Sequence, residues 1–135
     1  MKRVMTSSVT GFWTGHYFYA TSGAPKVEFQ AELEQIGDVL HGNITEQNTF
    51  DPFAGQILVA ELIGRVSGGA ISFTKSYMNA GNRLQKIQYR GSLSSDENEI
   101  TGMWAIGSAT GPFKMRRAIE QKPKAKVVRK EKLDV

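Results

Sequence analysis

From Val27 to Glu34 the chain alternates without a break: Val27, Phe29, Ala31 and Leu33 on one parity, Glu28, Gln30, Glu32 and Glu34 on the other. A helix would scatter these residues around its circumference, whereas a half-buried strand sorts them into an apolar and a polar face. The same period of two marks eight segments: 11–20, 26–35, 39–46, 57–66, 70–77, 84–93, 99–106 and 113–117. Turn-forming clusters separate them, among them Gly37-Asp38, Ser67-Gly68-Gly69, Asn79-Ala80-Gly81-Asn82 and Ser94-Ser95-Asp96. No gap holds a convincing helical pattern, so parallel crossovers are not expected and an antiparallel meander is the economical reading. The fold class is all-β. Closing eight meandering strands into an up-and-down barrel removes both edges; a two-sheet sandwich is the rival arrangement.

Strand direction gives the barrel two different ends. If the first strand runs upward, the top carries the connections near 21–25, 47–56, 78–83 and 107–112, and the bottom those near 36–38, 67–69 and 94–98. The longest, 47–56, contains Phe50 and Phe53 around Asp51-Pro52, as a cap or a lid at the top. Inward parity then predicts the interior. The lower half holds Trp13, Leu33, Leu40, Ile71, Leu93 and Ile100. The upper half receives Tyr17, Tyr19, Glu46, Lys75 and Tyr77, with Tyr89 and Trp104 on inward faces as well. An interior apolar below and polar-aromatic above suits an open-mouthed pocket. Glu46 and Lys75 are the natural partners there, since a lone buried charge is costly.

Composition narrows the chemistry more than it names it. There is no cysteine, which removes disulfides, thiolate nucleophiles and cysteine metal sites. The two histidines, His16 and His41, fall on polar faces without metal-ligand partners at useful spacing, so neither a metal nor another cofactor is expected. No nucleophile elbow, phosphate-binding loop or dinucleotide fingerprint occurs. No apolar run is long enough to span a membrane as a helix, and the start Met1-Lys2-Arg3-Val4-Met5-Thr6 lacks an apolar core of a secretion signal, so a cytoplasmic address is expected. The net charge of +4 is unevenly placed: residues 1–115 carry nine basic and ten acidic side chains, and the excess lies from Arg116 onward. Domains are thus expected as an arm at 1–8, a barrel at 9–117 and a basic, exposed tail at 118–135. That tail lacks the aromatic interleaving of a nucleic-acid binder, so nucleic acid is not an expected partner.

Gly11-Phe12-Trp13 opens the first strand and Arg116-Arg117 closes the last. With the eight-strand meander between them, the chain resembles the calycins, the barrel group of lipocalins, fatty-acid-binding proteins and avidins. The resemblance implies that Arg117 packs over Trp13 at a closed end, a cation–π contact of roughly 0.5–2 kcal/mol. It departs from lipocalins in lacking a disulfide and in the 94–97 connection, which has no aromatic. The long connection between the third and fourth strands is similar to that of avidins, but no biotin-site residue set is present.

The expected function is binding of a small, largely apolar molecule at the open end by Tyr17, Tyr19, Glu46, Phe50, Phe53, Lys75, Tyr77, Tyr89 and Trp104. Two alternatives stay open: an isomerase- or cyclase-like enzyme using Tyr17, Glu46, Lys75 or Tyr77 as acid–base groups, and a filled barrel acting as an interaction module. The fourth strand, Ile57-Leu58-Val59-Ala60-Glu61-Leu62-Ile63, is apolar on both parities, which predicts a homo-oligomer with segment 57–66 in the contact, extended by Phe12 or Phe18.

Overall fold

A computed structural model describes residues 8–19, 26–47, 57–78 and 86–118. Eight strands follow in order: β1 (Gly11–Tyr17), β2 (Val27–Ile36), β3 (Val39–Gln47), β4 (Ile57–Ser67), β5 (Ala70–Tyr77), β6 (Ile87–Leu93), β7 (Glu99–Ile106) and β8 (Ala109–Arg117). Each pairs antiparallel with the next, and β8 returns to β1, so the sheet is a closed barrel. The up-and-down barrel is therefore the fold, and the sandwich is excluded. None of the described residues forms a helix long and apolar enough to cross a membrane.

The alternation sorts side chains as the sequence implies. In β2 the burial runs strictly in and out from Val27 to Glu34. The interior is one cluster, from Trp13, Leu33, Leu40 and Ile100 at the bottom to Tyr17, Phe29, Tyr89 and Phe113 above. In β4 the parity is settled: Leu58, Ala60, Leu62 and Val66 face inward, and Ile57 and Ile63 stand outward, 48% and 55% exposed. Phe12 and Phe18 do not extend that outer stripe. They belong to the β1 side, and the outward residues of β2 (Glu28, Gln30, Glu32, Glu34) and β3 (His41, Asn43, Thr45, Gln47) stand between.

Two strand ends differ from expectation. β1 stops at Tyr17, although the Phe18 amide still donates to the Pro112 carbonyl at 3.1 Å. β8 begins four residues early, at Ala109, because Gly107-Ser108 makes a two-residue turn, with Gly107 at φ +58°, and pairs Ile106 with Ala109. The predicted 107–112 connection is thus mostly strand. Pro112 fits there because it sits where the β1–β8 ladder ends. An antiparallel partner would donate an N–H to the Phe18 carbonyl, which proline lacks. The Trp104 indole N–H supplies that donor instead, at 2.9 Å. Gly111 makes room for it, since a Cβ there would lie 2.8 Å from the indole nitrogen. The segment 84–85 of the predicted sixth strand, Phe50 and Phe53, and the tail beyond Ala118 lie outside the described residues.

Candidate functional site

The bottom end is plugged. Trp13, 1% exposed, donates its indole N–H to the Val9 carbonyl at 2.9 Å. The Arg117 guanidinium lies 4.7 Å over the Trp13 ring. Its N–H groups donate to the carbonyls of Thr10 (3.2 Å), Ser8 (3.1 Å) and Glu97 (2.8 Å), and to Asn98 Oδ1 (3.3 Å). Glu97 takes the left-handed φ of +64° in this loop. The Asp96 carboxylate, bound by the Ser94 hydroxyl (2.6 Å) and the Asn98 amide (3.1 Å), orders the turn; these bonds hold its pKa below the usual carboxylate value. Arg117 therefore staples the β8 end, the 94–98 turn and the residues before β1, with no carboxylate partner among the described residues.

The upper interior has the opposite character. Strand parity sends Glu46, at the end of β3, and Lys75, near the end of β5, into the same space. Lys75 Nζ stands 2.6 Å from Glu46 Oε1, and the two side chains are 0% and 2% exposed. The Tyr17 and Tyr77 hydroxyls both donate to Glu46 Oε2, at 2.8 and 2.7 Å. Lys75 Nζ also lies 4.7 Å from the Tyr77 ring centre, 4.8 Å from that of Tyr17, 5.7 Å from Tyr89 and 6.0 Å from Phe29. The ammonium thus has one short anionic partner and a wall of ring faces, each of which attracts a cation.

Around this pair the rings interlock. Tyr89 stacks on Phe73 at 4.7 Å and meets Phe113 edge-on at 4.9 Å. Tyr17 meets Tyr19 edge-on at 5.8 Å and Trp104 at 6.3 Å. Burial, more than any neighbouring charge, raises the phenol pKa of Tyr17, Tyr77 and Tyr89, and the negative Glu46 adds to it. Burial likewise pulls the Lys75 pKa down, against the upward pull of Glu46. All three phenols are neutral hydrogen-bond donors at neutral pH.

Of the residues named from the sequence, Tyr17, Glu46, Lys75, Tyr77 and Tyr89 come together in one cluster. Tyr19 and Trp104 border it, Trp104 with its N–H committed to the backbone. Sequence reasoning left out Phe29 and Phe113, whose inward parity was readable but whose height in the barrel depends on the register Gly15↔Phe29 and Tyr17↔Phe113. The histidines lie away from the cluster: His41 faces Glu34 at 3.1 Å, and His16 packs edge-on to Phe18 at 5.4 Å. Among the described residues no three metal-ligating side chains converge. A depression of about 710 Å³ is lined by outward residues such as His16, Gln30, Thr45, Lys114 and Arg116, with Phe29 and Glu46 also in its wall.

No protein-family model matches the chain, and no curated protein matches its sequence.

Proposed function

We propose that this chain is a calycin-like, small-molecule-binding barrel that works in the cytoplasm and holds one small, largely apolar molecule at the end opposite Trp13 and Arg117. The observation that carries the reading is the Glu46–Lys75 pair, buried under Tyr17 and Tyr77 in only one half of the barrel. Burying an ion pair gains little stability over an apolar filling of the same volume. A polar cluster built at one end is therefore better accounted for by recognition than by folding. Tyr17, Tyr77, Tyr89 and Lys75 form the floor against which the ligand rests. Tyr19 and Trp104 form its wall.

The filled barrel is the second reading, favoured by the close stacking of Phe73, Tyr89 and Phe113. The enzyme reading has less support, because phenols with raised pKa values are poor acids and Glu46 already accepts three hydrogen bonds. Mass spectrometry of molecules extracted from the natively purified protein decides between them. One apolar compound in near-stoichiometric amount is the expected result. A protein that carries none, and that binds no neutral apolar fluorescent probe, is a filled barrel.

A further inference from the structure

Hydrogen-bond donors outnumber acceptors in the buried cluster. Glu46 is the only carboxylate there among the described residues, and its two oxygens already receive Tyr17, Tyr77 and Lys75. An ammonium brings three N–H donors and a phenol one O–H. Lys75 uses one N–H on Glu46; the next oxygen, the Tyr89 hydroxyl, is 3.5 Å away, at the outer limit of a hydrogen bond. The Tyr89 O–H has no acceptor among the described residues, although the residue is only 2% exposed. Nor can its ring swing aside, being fixed between Phe73 and Phe113. With one Lys75 N–H on Glu46 and one on the Tyr89 oxygen, the third Lys75 N–H and the Tyr89 O–H are left side by side with no further oxygen to receive them among the described residues. Buried donors of this kind are costly when unmatched, and water is their natural acceptor in an empty barrel.

The charges set a second condition. Glu46 and Lys75 cancel, so the cluster is neutral as it stands. A carboxylate ligand would bring a second negative charge beside Glu46, in a space screened from water, with no second cation among the described inward residues. A neutral oxygen brings no such cost.

Resting on the binding function proposed above, we propose that the ligand is a neutral, largely apolar molecule with one acceptor oxygen, such as a ketone carbonyl, which takes the hydrogen bonds of Tyr89 and Lys75. The barrel selects this class against fatty carboxylates of the same length.

Calorimetric titration of the full chain at neutral pH with octane, methyl hexyl ketone and octanoate tests this, alongside the variant Tyr89→Phe. The ketone binds about tenfold more tightly than octane, and octanoate binds more weakly than the ketone by at least a similar factor. Tyr89→Phe keeps the ring and its stacking, so it folds as the parent does by thermal unfolding. It lowers ketone affinity about tenfold and leaves octane unchanged. Octanoate binding as tightly as the ketone, or a ketone affinity indifferent to Tyr89→Phe, overturns the proposed ligand class while leaving a binding barrel. Failure of all three probes to bind overturns the binding function itself.

Discussion

Lys75 and Glu46 each make the other tolerable. Alone, either would be an uncompensated charge inside the barrel; together, with two phenol donors on the carboxylate, they satisfy most of their valence. Lys75→Met is therefore expected to cost about 3–5 kcal/mol in urea unfolding, because it strands Glu46. The double variant Lys75→Met with Glu46→Leu is expected to recover most of that loss; a double variant as unstable as the single one would mean the pair contributes real stability. The phenols give a pH signature. Tyr17, Tyr77 and Tyr89 have pKa values above their ordinary 10.0 in the folded barrel. Above about pH 10 the unfolded chain loses these protons while the folded barrel keeps them, so the folded state binds more protons and stability falls as pH rises. Three such groups give a slope of up to about 4 kcal/mol per pH unit; Lys75, whose pKa is lowered, opposes it only up to its ordinary value of 10.5, where the unfolded chain gives up that proton as well. Tyrosinate absorbance should show these phenols ionising only together with loss of near-UV circular dichroism. Early ionisation of all four tyrosines in the native protein would show that the cluster is open to hydroxide.

At the scale of single strands, the two ends of the barrel are held by different devices. At the bottom, β8 is stapled through Arg117, and truncating Trp13 to Ala removes the buried ring on which that guanidinium lies. Trp13→Ala should cost about 3–5 kcal/mol and Arg117→Ala less, about 1–3 kcal/mol, read from denaturant midpoints. A Trp13→Ala variant with an unchanged midpoint would remove the tryptophan from the core. β4 poses the question of self-association. Ile57 and Ile63 stand on its outer face with the half-buried Val59, and their neighbours across the strands are Gln47, His41, Thr74 and Thr45. Without Phe12 and Phe18, this stripe is narrower than its sequence suggests. We expect a weak homo-oligomer through β4, which Ile63→Glu abolishes; sedimentation equilibrium giving 14.9 kDa at all concentrations would reject it. Much of this was legible in the sequence, because alternation fixes which face a residue takes and the meander fixes which end it reaches. Those two facts alone bring Glu46 to Lys75. The start of β8 was hidden because Thr110-Gly111-Pro112 has the composition of a turn. The bond from Trp104 to the Phe18 carbonyl was hidden for a related reason: it exists only because closure against β1 places Pro112 where an N–H is needed.

For the whole molecule, closure is the decisive property, and it is complete before the chain ends. β8 pairs with β1 from Trp13↔Arg117 to Tyr17↔Phe113, and the Ala118 amide adds a last bond to the Phe12 carbonyl at 2.8 Å. Both edges of the sheet are then satisfied by residues up to 118. Among the described residues the core cluster runs from Val9 to Met115, and the polar cluster above it lies within the same strands. Residues 119–135 contain six basic and three acidic side chains, which leaves eleven basic and ten acidic in 1–118. Most of the positive charge excess thus follows Ala118 in the sequence. Deleting 119–135 while keeping Ala118 is expected to leave a barrel that unfolds cooperatively, with stability within about 1 kcal/mol of the full chain, because no described contact is removed. Any attraction to anionic surfaces should fall with the deletion, since charge alone drives it. The check is guanidinium unfolding of both chains followed by tryptophan fluorescence, which reads Trp13 at the plugged end and Trp104 beside the cluster. A shallow, non-cooperative transition in the shortened chain would mean that 119–135 completes the barrel's packing.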